Sequence, residues 1–518
     1  MTVKCVSNDR VAYQATTEAH WHQALKPQAL IVIQRFGLHR SIAAHFGAIM
    51  VLMNTSTASF TPAFGRLAVT VSVGFVVTQL DVTIVNIALA NIGADLHASV
   101  AGLQWIVDAY ALAFAALMLS AGALGDRFGA RTLFAIGIAL FALASLTCGM
   151  ALNAGMLVAA RALQGVGASA MLPNSLALLN QACRHDPKMR ARAVGLWTAA
   201  GAISIAAGPV VGGILVSALG WRSIFYVNLP LCIAGLFATF AWIPPSPTQR
   251  PVAQRDKPSG IDLLGQVLAI VALTTFTGAI IEWRPLGLSH PVVAGGFALA
   301  LIAAVALVVV EKRVASPMLP LSLFSKRTFS AAVLFGICVN LTYYGTVFVL
   351  SLFLQRVRGY TVLEAGLAFL PLTGGFLVSN VASGRAIGRY GARAPMIVGA
   401  ITAALGYGLL HFVDGSTPLV ALLVPFLLIP SGMGLAVPAM TTAVLAAVEP
   451  KRAGTASAVL NTARQAGGAA GVAAYGALAG GGAAHIVSGL QTASAVSLTL
   501  LLIGAGLACV IHPEPHAE

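Results

Sequence analysis

Charged side chains are scarce in this sequence. Asp, Glu, Lys and Arg make up 9% of the 518 residues, whereas hydrophobic residues make up 58%. A soluble domain carries about 25% charged residues, so the scarcity excludes a soluble globular protein of this length. Long apolar blocks take the place of charge, among them residues 67–90, 133–152 and 291–310. Each can cross a bilayer as a helix, which needs roughly 20 residues. The blocks do not alternate apolar and polar residues, and this excludes the strands of a membrane β-barrel.

Several signatures of catalysis and metal binding are also missing. The six cysteines form no Cys-x-x-Cys pair, and the eleven histidines are scattered. We therefore expect the cysteines to be small apolar packing residues, and we expect no metal site. The sequence has no Gly-x-x-x-x-Gly-Lys-Ser/Thr loop, so direct use of ATP is not expected. We find no catalytic constellation and predict that the protein is not an enzyme and needs no cofactor.

The apolar blocks predict an all-α polytopic membrane protein with fourteen spans. The spans are 67–90, 101–122, 132–152, 155–180, 193–218, 223–243, 262–281, 291–310, 329–352, 362–384, 395–412, 418–444, 455–479 and 492–511. The thirteenth is the weakest, because it is rich in Gly and Ala and contains Arg464.

The basic residues indicate the orientation of these spans. Numbered in order, the even loops hold eighteen Lys and Arg and the odd loops four. Positive residues are retained in the cytoplasm, so the even loops and both termini are predicted to be cytoplasmic. The net charge of +14 therefore reflects membrane topology and does not indicate a nucleic-acid partner.

An internal repeat predicts two six-helix halves. The sequence GDRFGAR at 125–131 follows the second span, and IGRYGAR at 387–393 follows the tenth. Duplicated halves around a central site are a transporter architecture. The predicted segments are an extension (1–65), a first half (66–243), a linker (244–260), two inserted helices (261–311), a second half (312–511) and a tail (512–518). For the extension, three interpretations stay open: a disordered cytoplasmic segment, initiation at Met50 or Met53, and a functional module.

Three charged residues lie at membrane depth. Asp81, Asp108 and Arg161 are placed roughly 9–14 Å from the outer ends of their spans, at 1.5 Å per residue. Charges there are costly and usually functional. One arginine can hold one carboxylate ionised, which leaves the second able to load and release a proton. We predict that this cluster couples transport to protons; a purely structural ion pair is the alternative.

Three further groups complete the candidate residues. Gly122, Asp126, Arg127, Gly129 and Arg131 follow the second span and predict a latch between conformations or an ordinary turn. In the fifth span, Gly201, Gly208 and Gly212 share one face, and Pro209 and Gly213 adjoin them, which predicts close helix packing and a kink. Arg464 has no acid in its own span, and both substrate contact and structural pairing stay open for it.

These residues resemble the major facilitator superfamily, in particular the fourteen-span drug:proton antiporters of the EmrB/QacA type. The resemblance covers residues 66–511 and rests on LDVTIVNIAL (80–89), the loop at 122–131, RALQGVG (161–167), GPVVGG (208–213) and WRSIFYVNLP (221–230). At position 108 the family more commonly has an uncharged residue. The aspartate found here resembles the branch of methylenomycin-type exporters.

The resemblance implies a major facilitator fold, in which Arg161 is linked to proton coupling and Gln164 joins Arg464 as a candidate for the cavity wall. It also implies antiport rather than symport for 208–213. We predict a monomeric, proton-coupled antiporter in the bacterial inner membrane that exports drug-like or antibiotic-like small molecules. Its partners would be the substrate, protons and the lipid bilayer. The alternative is a secondary transporter of a specific metabolite.

Overall fold

The computed structural model describes residues 62–183, 186–244, 262–314, 317–449 and 452–511. Predictions for the extension before residue 62, for most of the linker and for the tail after residue 511 fall outside these ranges. The described residues form fourteen long helices. They are α1 Pro62–Asp95, α2 Val100–Phe128, α3 Ala130–Gly149, α4 Ala154–Ala182, α5 Pro187–Leu219, α6 Ser223–Trp242, α7 Leu263–Leu286, α8 Pro291–Arg313, α9 Arg327–Val357, α10 Val362–Tyr390, α11 Arg393–Leu410, α12 Leu419–Ala446, α13 Ala453–Leu478 and α14 Ala483–Cys509.

Thirteen of these helices are long and apolar enough to cross a membrane. The exception is α13, which the sequence also marks as the weakest span. It is a continuous 26-residue helix whose apolar character is diluted by Gly, Ala and Arg464. Its C-terminal part, 467–477, is mostly buried by neighbouring helices, so this part needs no strongly apolar surface toward lipid.

Local signals explain where several helices begin and end. Ser99 and Asn153 cap α2 and α4 by accepting a backbone N–H with their side chains. A single residue, Gly129, separates α2 from α3, and its φ of 97° lies in the region that favours glycine. Gly391 has a φ of 69° after α10, so the repeated loop sequence has the same kind of glycine in both copies.

The packing partners of the helices also repeat. In α1–α6, the helix pairs in extensive contact include α1 with α5, α2 with α4, and α3 with α4. The same pairs recur eight helices later, as α9 with α13, α10 with α12, and α11 with α12. Helices α7 and α8 pack on each other, and α7 also contacts α2 and α13 along the seam between the two sets.

The central space is closed at one end of the bundle. We call the end formed by the loops α2–α3, α4–α5, α10–α11 and α12–α13 the basic end. Near the opposite end, Gln104 of α2 donates to the carbonyls of Val472 (3.1 Å) and Ala473 (2.6 Å) on α13. Gln355 of α9 donates to the carbonyl of Ile87 on α1 (3.0 Å). Toward the basic end, many residues of 453–466 on α13 and 378–390 on α10 are partly or fully exposed, and we interpret this as an opening of the space at that end.

Candidate functional site

A buried ion pair joins α1 and α4 at the centre of the first six helices. Arg161 Nη1 contacts Asp81 Oδ2, and the two side chains are 1% and 0% exposed. Arg161 Nε also donates to the carbonyl of Ile106 on α2 (3.1 Å). Helices α2 and α4 can approach closely because Gly165, one turn along α4, lies against the Tyr110 carbonyl of α2, where a Cβ atom would clash.

Asp81 is held by neutral donors as well as by the arginine. Its Oδ1 accepts from Gln164 Nε2 (2.9 Å) and Asn228 Nδ2 (3.2 Å). Gln164 Nε2 also donates to Ser145 Oγ (2.8 Å), and its Oε1 accepts from Arg161 Nη1 (2.7 Å). Four helices, α1, α3, α4 and α6, thus supply one network. Both Asp81 oxygens therefore have donors within this network.

Two members of this network were missed as site residues by the sequence analysis. Ser145 lies in α3, and Asn228 begins the main segment of α6. Ser145 gave a weak signal, because an isolated polar residue in an apolar span is as often structural as functional, whereas Asn228 lies within the motif at 221–230. Aromatic rings complete the enclosure, with the Arg161 guanidinium 4.4 Å from the ring centre of Tyr110 and 6.0 Å from that of Phe225.

Asp108 has different surroundings. It is 0% exposed, and neither of its carboxylate oxygens has a hydrogen-bond partner among the described residues. A buried charge without a partner is strongly unfavourable, and no described residue offsets the burial of this carboxyl group. The structure therefore brings Asp81 and Arg161 together and leaves Asp108 outside their ion pair.

Asp108 and Arg161 nevertheless line one cavity. The cavity lies between α1, α2, α4, α9 and α13. Its second-half wall includes Tyr344 of α9 and Gln465 of α13. Gln164 lies behind this wall in the Asp81 network. Arg464, next to Gln465, is only partly buried and makes no ion pair with a described residue.

The glycines of α5 have two different partners. Positions Gly201, Gly208 and Gly212 face α1, where an added Cβ would meet Phe75, Thr83 and Ile84 respectively. Gly213 faces α10 instead, with its Cβ position 3.0 Å from Leu363 Cα, and the Pro209 carbonyl lies against Gly366. The motif therefore packs α5 within the first half on one side and against the second half on the other.

The latch residues surround the α2–α3 turn at the basic end. Arg131 donates to the carbonyls of Thr239 (3.5 Å) and Phe240 (3.2 Å) at the end of α6. Arg127 lies over the ring of Phe128, and Asp126 is exposed in the last turn of α2. Gly122 lies 3.7 Å from Pro173 of α4, measured from its Cβ position. These contacts tie the turn to the first half; its role as a conformational latch stays a prediction.

Comparison with known proteins places these residues in a wider context. Residues 71–472 match the Major Facilitator Superfamily. The chain is 35% identical over 446 residues to a methylenomycin A resistance protein of Bacillus subtilis, covering 84% of this chain and 94% of that protein. It is 34% identical over 411 residues to a tetracenomycin C resistance and export protein of Streptomyces glaucescens, covering 79% and 74%. A solved D-xylose–proton symporter matches with a TM-score of 0.63 at 13% identity, covering 88% of this chain and 99% of that one.

Proposed function

Because this chain belongs to the major facilitator superfamily, we propose that it exports drug-like or antibiotic-like small molecules in exchange for protons. The names of its relatives support the substrate class, since they describe resistance to methylenomycin A and export of tetracenomycin C. We propose that the protein acts as a monomer and is driven by the proton gradient rather than by ATP.

The single observation that carries this proposal is the contrast between the two buried aspartates. Asp81 has Arg161, Gln164 and Asn228 as donors, whereas Asp108 has no donor among the described residues and borders the cavity. Removing a proton from Asp108 requires water, a cation or a new donor beside it. A conformational change that exposes the cavity supplies water, so Asp108 is the proposed proton carrier and Asp81–Arg161 its fixed counterpart.

The proposed cycle follows from this assignment. When the cavity opens to the outside, Asp108 takes up a proton and the substrate leaves. When it opens at the basic end far enough for water to reach Asp108, the proton leaves and a new substrate enters. The halves 66–243 and 312–511 would rock around the cavity, with the linker 244–260 between the first half and the inserted pair 261–311.

The proposed location is the bacterial cytoplasmic membrane, with the basic end and both termini in the cytoplasm. The excess of Lys and Arg in the even loops supports this orientation. A periplasmic reporter fused after Glu518 should be inactive. An active reporter would contradict the orientation.

The test of function uses purified protein in proteoliposomes with an imposed pH gradient and a panel of toxic compounds. Wild-type protein should concentrate at least one compound against its gradient, in proportion to the proton gradient. Asp108→Asn keeps the size of the side chain and removes its titration, so it should still exchange substrate down a gradient but should not concentrate it.

Asp414→Asn is the matched control, because Asp414 lies exposed in the loop between α11 and α12. There, hydrogen bonds from Ser416 and Thr417 lower the pKa of Asp414 to about 2, far from the cavity. Normal uphill transport by Asp108→Asn would contradict the assignment. Failure of every toxic compound, with uptake of a single metabolite, would favour a specific metabolite transporter.

A further inference from the structure

Arg464 is the cationic side chain in the second half that the proton-coupling proposal leaves unexplained. We propose that Arg464 binds an acidic group of the transported molecule, so that the preferred substrates carry a carboxylate or a comparable anion. This inference rests on the proposed function and names the chemical class of substrate for the same cavity.

Packing holds the stem of Arg464 in place. Arg464 Cγ lies 3.1 Å from the position where Gly336 of α9 would carry a Cβ, and Met440 Sδ of α12 lies 2.9 Å from the same point. The stem is thus wedged among α9, α12 and α13. Its helix neighbour Gln465 lines the cavity together with Asp108 and Tyr344. Arg464 is not itself among the residues that line this cavity; it lies one residue nearer the basic end of α13 than Gln465.

The Arg464 guanidinium has few partners. Its Nε has no hydrogen-bond partner among the described residues, and Nη1 makes only a long contact with Asn461 Oδ1 (3.5 Å). The two ion pairs of the described residues involve Arg161 and Arg222, not Arg464. By contrast, Arg161 contacts a carboxylate, a side-chain amide oxygen and a backbone carbonyl.

The chemistry of the two side chains separates Arg464 from Asp108. An aspartic acid that loses its counter-charge can take up a proton and become neutral. A guanidinium does not lose its proton in proteins, so it needs an anion or water. Water reaches Arg464 while the basic end is open. When that end closes around a substrate and water leaves, an acidic group on the substrate supplies the missing charge, and the planar guanidinium can bind it through two hydrogen bonds.

The test compares three probes with one aromatic scaffold and different charges: 1-naphthoate, its methyl ester and 1-naphthylmethylammonium. Binding to the purified full-length protein is measured by calorimetry. Wild-type protein should bind the acid most tightly. Arg464→Gln should weaken acid binding roughly ten- to a hundredfold, as expected for a charged hydrogen bond, and should leave the ester unchanged. Arg464→Lys should recover part of the acid affinity.

Arg389→Gln is the matched control, since Arg389 is exposed at the basic end of α10. It should leave all three affinities unchanged. The proposal is overturned if wild-type protein shows no preference for the acid or does not bind it. Equal losses for acid and ester in Arg464→Gln would also overturn it and indicate a structural role.

The outcome can be separated from a failure of the export proposal. Proton-driven transport of an uncharged compound by Arg464→Gln in proteoliposomes would support export regardless of which probe binds best. Loss of that transport, with a normal preference for the acid in wild-type protein, would instead place Arg464 in the conformational cycle and contradict a role limited to substrate binding.

Discussion

The two six-helix sets pack their helices in the same pairs but bury different kinds of polar side chains. The first places the Asp81–Arg161 ion pair and Asp108 at the centre of α1, α2 and α4. In the second set, a neutral pair lies between α13 and α14, where Tyr475 Oη is 2.8 Å from Ser497 Oγ, and the cationic Arg464 makes no ion pair with a described residue. Tyr407 of α11 is also fully buried. The same helix pairs thus pack in both sets, while the buried ion pair lies in the first.

The difference leads us to predict different roles for the two interiors. A buried ion pair is weak evidence for stability, because desolvation offsets much of the attraction between the charges. A neutral hydroxyl pair holds helices together without that cost. We therefore predict that the charges of the first half serve transport, and that the second half supplies the facing wall of the cavity. Substitutions that remove charge or close packing should accordingly be more harmful than those that remove a neutral hydrogen bond.

Arg161→Ala should have the largest effect. It leaves Asp81 buried without its counter-charge, and breaking a buried pair in this way costs about 3–5 kcal/mol. We expect no transport and a clearly lower thermal stability in detergent. The double variant Asp81→Asn/Arg161→Gln removes both charges, so it should regain stability but not uphill transport. If Arg161→Ala transported as well as the wild-type protein, the buried charges of the first half would not be needed for transport.

Gly208→Leu should come next. The Cβ would overlap Thr83 Oγ1 on α1, and overpacking typically costs about 1–3 kcal/mol. We expect membrane insertion with transport lost. Gly195→Leu on the same helix is the control, because the Cβ position of Gly195 has no atom within 4 Å in the described structure. Equal transport by the two variants would show that contact with α1 does not matter.

The two glutamines at the closed end should have intermediate effects. Gln104→Leu or Gln355→Leu removes hydrogen bonds worth about 0.5–1.5 kcal/mol each, which shifts the conformational equilibrium roughly two- to tenfold toward opening at that end. The measurement is the reaction of a cysteine at Ala469, in the cavity wall, with an impermeant maleimide added from outside. All variants in this measurement carry substitutions of the native cysteines, so that only the introduced cysteine reacts.

Gln181→Leu, at the exposed basic end of α4, is the control for this measurement. It should not change the labelling rate. Unchanged labelling in both Gln104→Leu and Gln355→Leu would mean that these hydrogen bonds do not hold the end closed.

Tyr475→Phe should have the smallest effect. It removes the hydroxyl pair with Ser497, at a cost of about 1 kcal/mol, and keeps the ring packing. Transport should persist, with a modest decrease in melting temperature. Ser488→Ala, exposed on α14, should change neither property. Complete loss of uphill transport in Tyr475→Phe would show that this hydroxyl pair also takes part in coupling.

Much of the fold was predictable from the sequence. The prediction of an all-α polytopic protein with the major facilitator fold is confirmed by the family match and by the solved transporters of similar fold. Fourteen helices follow the predicted spans within the described residues, including α13 despite its weak apolar character. The assignment of drug export to this family agrees with the relatives, whereas the residue roles stay predictions.

The sequence by itself determined which residues enter the membrane and at what depth, because apolar length and helical rise are properties of a single segment. It placed Asp81, Asp108 and Arg161 at similar depth, but it could not say which aspartate meets the arginine. That choice depends on the rotation of each helix about its axis and on its neighbours. Only the tertiary structure shows that Arg161 pairs with Asp81 and that Gly213 packs against α10. It also shows that Arg464 has no acidic partner among the described residues.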